Sequence, residues 1–138
     1  MPTYDSSQVT LIFGGKVING FSEDSFITAE RNEDTFTLVI GVDGFGTRAK
    51  TNNYSGRVTV NLQQSSPGND ILQAFATADE QSNSGAQPCI LRDASGRTLV
   101  TAATAWVVKP PSIEFTRSVA DRQWIIETDR LNISVGGN

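Results

Sequence analysis

Histidine is missing from the 138 residues, and cysteine and methionine occur once each. Without histidine the chain cannot run Ser-His-Asp or Cys-His catalysis, nor build a histidine-containing zinc site. The lone Cys89 has no partner for an intrachain disulfide, which fits synthesis in a reducing cytoplasm. No histidine or lysine neighbours it in Gln87-Pro88-Cys89-Ile90-Leu91, so it reads as a small buried hydrophobe on a strand. Apolar runs are short, which excludes a membrane-spanning helix. Residues 1–10 hold neither a basic region nor an apolar stretch, so no secretory signal is expected. Excess positive charge is lacking too: Lys and Arg number 11 against 15 Asp and Glu, a net charge of −4 with a pI of about 4.7. The basic residues are scattered, Arg48 and Lys50 being the nearest to a cluster. A sequence-reading nucleic-acid binder needs a basic patch, and this chain has none.

What is present suits one soluble globular domain over residues 1–138, with 38% hydrophobic and 19% charged residues. A chain of this length buries roughly two-thirds of its unfolded surface, enough for a core without staples. Short strand-like runs alternate with Gly, Asn, Asp and Pro. Val9 to Phe13 turns at Gly14-Gly15 into Lys16-Val17-Ile18, and Asn19-Gly20 is a second turn. Ser25 to Arg31 and Phe36 to Val42 follow as strands, and Gly41 to Gly56 reads as a long loop or an extended hairpin. Arg57 to Gln63 alternates most cleanly, with Val58, Val60 and Leu62 on one face and Arg57, Thr59, Asn61 and Gln63 on the other.

One helix stands out, at about residues 67–80. Ser66 can cap it, Pro67 suits its first position, and Asp70 favours the positive end of its dipole. Ile71, Leu72, Phe75 and Ala78 form its apolar stripe. Asp79 to Gly85 reads as a flexible polar linker. Strands follow at Cys89 to Arg92, at Leu99 to Val108 (apolar on both faces, hence central), at Ile113 to Arg117, at Gln123 to Thr128 and at Leu131 to Val135. Nine or ten strands with one flanking helix predict a mainly β fold, a β-sandwich or partial barrel.

No catalytic constellation emerges. Glu23-Asp24, Glu33-Asp34 and Asp79-Glu80 are adjacent pairs beside turns, and neighbours on extended backbone point to opposite faces. Gly41 to Gly46 lacks the helix and the Lys-Ser/Thr pair of a phosphate loop. Neither Asp43 nor Asp93 has the spaced acidic partners of a calcium loop. No enzyme, metal or cofactor is expected.

The order of segments carries a resemblance. A glycine-rich loop leads into Ser55 to Pro67, a strand passing through a Ser-Pro corner into the helix at Asn69-Asp70-Ile71-Leu72. Pro88 to Gly96 then forms a hairpin ahead of the apolar strand with Trp106, and Arg122-Gln123-Trp124 begins a late strand. From about Ser6 to Ile133 this resembles the tail tube protein family of contractile-tailed bacteriophages. The resemblance implies a virion structural protein made in the bacterial host cytoplasm. It implies hexameric rings stacked into a hollow tube inside a sheath, through which DNA is ejected. Its partners would be further copies of itself, the tail sheath protein, the tape measure protein and baseplate or tail terminator proteins, with DNA only in transit and no membrane. Tubes of phage-derived bacteriocins and secretion particles share that pattern. A monomeric carbohydrate-binding β-sandwich using Trp106 or Trp124 is the alternative from another class.

Two sets of residues follow from the tube reading. Thr37, Asp43, Thr59, Asn61 and Gln63 are candidates for the channel side. Asp43, Phe45, Arg48, Lys50, Asn52 and Tyr54, in the glycine-rich segment, are candidates for joining stacked rings, with Glu23, Asp24, Glu33 and Asp34 as acceptors.

Overall fold

The computed structural model describes residues 1–24 and 26–137. It contains a 3-10 turn (Ser6–Gln8), ten strands and one α-helix. In chain order these are β1 (Val9–Phe13), β2 (Lys16–Ile18), β3 (Ile27–Arg31), β4 (Phe36–Ile40), β5 (Gly46–Lys50), β6 (Gly56–Gln63), α1 (Gly68–Ser82), β7 (Gln87–Asp93), β8 (Leu99–Val107), β9 (Asp121–Thr128) and β10 (Asn132–Ser134). The main sheet runs β2-β1-β7-β8-β9-β6-β3, with β10 also on β8, and every named pair is antiparallel. β4 and β5 pair only with each other, as a separate ribbon.

The sheet curls until its two ends meet. β2 lies on β1 at one end, and the chain just past it bonds to β6 near the other: Gln63 N–H donates to the Gly20 carbonyl and Ser22 N–H to that of Asn61, both at 2.9 Å. One continuous segment therefore joins both ends into a partial barrel. Gly20 makes this possible, with φ at +78° and so close to Ser66 that a Cβ would strike its hydroxyl. Leu11, Phe13, Val60, Leu62, Trp124 and Ile126 fill the interior, each burial stabilising by about 1.5–3 kcal/mol.

The helix begins where the Ser-Pro corner predicts. Ser66 Oγ accepts the Gly68 N–H at 3.0 Å while donating to the Asn19 carbonyl, so one hydroxyl caps α1 and ties it to the turn after β2. Leu72 and Ala76 face the core, Ala76 taking the place expected of Ala78, and the Phe75 ring meets Phe13 edge-on at 5.1 Å. The predicted linker from Asp79 is helical as far as Ser82, and Asn83 ends the helix at φ 55°.

Two strand boundaries need correction. Ile113 to Arg117 is not a strand, because the whole stretch 108–120 is irregular. Pro110 and Pro111 lack the N–H groups a ladder needs. The strand expected from Ser25 begins at Ile27, and Ser25 itself lies outside the described residues. Leu99–Val107 is central as expected, though it buries one face and leaves the other partly open.

Cys89 is buried, and loss of solvation pushes its thiol from the ordinary 9.0 up to about 12. The neutral thiol is the species that the fold holds. Its contribution is therefore fully present below pH 9.0 and is lost as the pH rises towards 12. A thiol reagent at pH 8 should label Cys89 only after denaturation. Urea midpoints should fall more steeply between pH 9 and 11 in the parent chain than in Cys89→Ala.

Candidate assembly site

The hairpin β4–β5 is the most unusual feature of the surface. The β3–β6 ladder ends at Arg31↔Gly56, and the ribbon resumes at Phe36↔Lys50. Its arms and turn project roughly 20 Å at about 3.4 Å per residue. All ten strand residues are exposed. Phe36, Leu38 and Ile40 share one face with Lys50 and Arg48, and the Arg48 guanidinium sits 4.2 Å from the centre of the Phe36 ring. Thr37 and Val39 share the other face with Ala49 and Thr47. Val42 and Phe45 stand out at the tip. Asp43 orders that tip by accepting the Phe45 N–H at 3.2 Å, and Gly44 supplies the positive φ of the turn. Exposed apolar patches of this extent are uncommon on soluble monomers and are typical of association surfaces.

The other ring-joining candidates lie lower. Asn52 is in the connecting arm. Tyr54 is at the root of the hairpin, between the guanidiniums of Arg31 and Arg130 at 5.1 and 4.7 Å, and it is bridged to Arg130. It fastens the hairpin to the barrel and is not at the tip. Glu33 accepts the Thr51 hydroxyl at 3.2 Å, which places Glu33 and its neighbour Asp34 at that root as well. Glu23 and Asp24 sit elsewhere. They follow Ser22, whose N–H bonds to Asn61 of β6, and Asp24 lines a hollow with Tyr4, Val9, Ile27, Leu91 and Asp93.

The channel candidates divide likewise. Thr59, Asn61 and Gln63 share the outer face of β6, as the alternation predicts. Glu30 and Glu127 flank Arg57 on this face, Arg57 Nη2 lying 2.9 Å from Glu127 Oε1, and Asp121 flanks Gln63. Three carboxylates thus stand against one guanidinium on a sheet face that also carries Ile125, opposite Thr59, and Trp106, opposite Glu127. Thr37 and Asp43 are not part of it, because β4 left the main sheet. Pleat alternation is a local signal, so it identified the outer face of β6 but could not reveal that, among the described residues, β4 pairs with β5 alone. Trp124 is buried, with its Nε1 donating to Asn69 Oδ1 at 2.8 Å, and can serve no carbohydrate platform.

A curled antiparallel sheet with a capping helix and a free-standing apolar hairpin is a fold shared with chains of contractile injection machines. The PVC sheath-tube complex of an extracellular contractile injection system superposes with a TM-score of 0.65 at 13% identity, covering 96% of this chain and 91% of that one. The tube-terminating cap of the anti-feeding prophage gives 0.64 at 13% identity, with the same coverage of 96% and 91%. Sequence narrows the class further. The profile of the bacteriophage PhiTE tail tube protein matches residues 11–136, and the chain belongs to that family. Structural protein ORF10 of Pseudomonas phage KPP10 is 33% identical over 144 residues, covering 99% of this chain and 83% of that protein.

Proposed function

We propose that this chain is the repeating subunit of the inner tube of a contractile phage tail, forming hexameric rings that stack within a sheath and conduct DNA into the host. The exposed apolar hairpin carries the reading. Among the described residues its strands pair only with each other, and a second subunit is the partner that a tube protein always has at hand. The hairpin joins rings along the axis. The polar face of Thr59, Asn61 and Gln63 lines the channel, where its carboxylates repel phosphate and let DNA slip past. The tail sheath, tape measure and terminator or baseplate proteins are the other partners, in a virion assembled in the host cytoplasm. Membership of a phage family favours a phage tail over a phage-derived particle.

Negative-stain microscopy of the concentrated protein should show rings and hollow rods. A strictly monomeric species at every concentration and salt, by size-exclusion chromatography with light scattering, would count against the tube. Cysteines at Thr59 and Asn61 should react with bulky reagents far more slowly in assembled rods than a surface control does. Equal rates would remove these residues from the channel.

A further inference from the structure

We infer that the hairpin tip of one copy docks onto the β8–β9 connection of the next copy, with Phe45 seated in the cavity beside Trp124. This rests on the tube reading and names the surface that receives the hairpin. β6 and β9 pair over their full length, from Gly56↔Thr128 to Gln63↔Asp121, about 24 Å of ladder. The hairpin leaves at the Gly56 end. At the Gln63 end the chain exposes a second apolar patch: Ile113, Phe115 and Val119 in the stretch 108–120.

That patch is held outward, not left loose. The half of the connection leading into β9 is hung on Arg122, which is nearly buried and donates through Nη1 to the carbonyls of Glu114 and Asp121 at 3.4 and 3.3 Å. Its guanidinium also lies 5.4 Å from the centre of the Phe115 ring. At the root, Gln64 and Ala120 exchange hydrogen bonds: the Gln64 N–H reaches the Ala120 carbonyl at 3.1 Å, and the Ala120 N–H reaches Gln64 Oε1 at 3.3 Å. Between this connection and α1 lies a cavity of about 230 Å³, lined on its apolar side by Pro110, Pro111, Ile113 and Trp124 and on its polar side by Asp70 and Arg122 among others. An aromatic side chain fits such a space, and Phe45 is the aromatic at the opposite end of the subunit.

The contact is apolar in the main. Arg48 and Lys50 travel with the hairpin, while the connection that receives it carries Lys109, Glu114 and Arg117, with Asp121 and Arg122 at its end, a near-balanced set of charges. Two different apolar patches at opposite ends of one subunit make a head-to-tail contact, which propagates as an open stack along the axis when the rotation does not close.

Two variants test the pairing, each altering exposed residues only: a tip variant, Val42→Asp with Phe45→Asp, and a receiver variant, Ile113→Asp with Phe115→Asp. Circular dichroism matching the parent establishes that each still folds. Each alone should lose tube formation. Mixed, they should yield discrete pairs of rings (or pairs of subunits) and nothing longer, because the intact tip of the receiver variant can still engage the intact receiver of the tip variant. Parent tubes together with a mixture that forms no pairs would overturn this docking and leave the tube reading standing. A receiver variant that builds tubes of normal length would also overturn it. A parent chain that never polymerises would overturn both.

Discussion

Replacing Phe36–Lys50 with a two-residue Asn-Gly turn should leave the stability of the chain almost unchanged and abolish its tubes. Thr51 N–H already donates to the Thr35 carbonyl at 2.8 Å, so a tight turn closes naturally at that pair. The excised strands bury no residue in the core, and their ladder and the Arg48–Phe36 contact are internal to what is removed. Changes to such a surface usually stay within about 0.5 kcal/mol, or roughly 1–2 °C in melting temperature for a chain near this size. Shortening a loop also slightly lowers its closure entropy. Assembly should respond in the opposite sense, with rings persisting while rods vanish under the microscope. Rods of normal length from the shortened chain would mean that the hairpin takes no part in stacking.

Trp124→Ala should be the most damaging single substitution for the fold itself. The side chain is 2% exposed, and its indole N–H reaches Asn69 on α1, so it fills the core and also ties β9 to the start of the helix. Truncating a buried Trp costs about 3–5 kcal/mol, a large part of the roughly 5–15 kcal/mol that holds a domain together. Trp124→Phe separates the two contributions. It retains most of the volume and removes the donor, leaving Asn69 Oδ1 unpaired at a cost of about 1–3 kcal/mol. Urea titration should rank parent, Phe and Ala in that order. An Ala variant within 1 kcal/mol of the parent would show that the site collapses around the loss.

Much of this was legible in the chain because it was written locally. The alternation of Val58, Val60 and Leu62 against Thr59, Asn61 and Gln63 needs only the two-residue period of a strand, and the structure shows that alternation in place. The Ser66-Pro67 corner starts α1 because capping is chemistry between near neighbours. Cys89 lies on a strand in apolar company, as its flanking residues imply. Even the order of segments sufficed to suggest the family that the profile identifies.

Where local signal failed, a competing contact decided, in most cases one distant in the chain. Ile113 to Arg117 has a strand's composition, but two prolines precede it and Arg122 claims the Glu114 carbonyl. Phe36 to Ile40 does form a strand, yet whether it would join the wall depended on whether another strand lay beside it, and only β5 does. Tyr54 reads as a free anchor until the fold brings Arg31 and Arg130 against it. The sequence by itself thus determined the strand faces, the helix and the absence of histidine chemistry, since these depend on residue type and short-range spacing. Only the tertiary structure decided that the sheet curls shut through Gly20, that the hairpin stands free, and that a second apolar patch lies at the opposite end. Each of these depends on contacts between residues far apart in sequence, which no local pattern encodes.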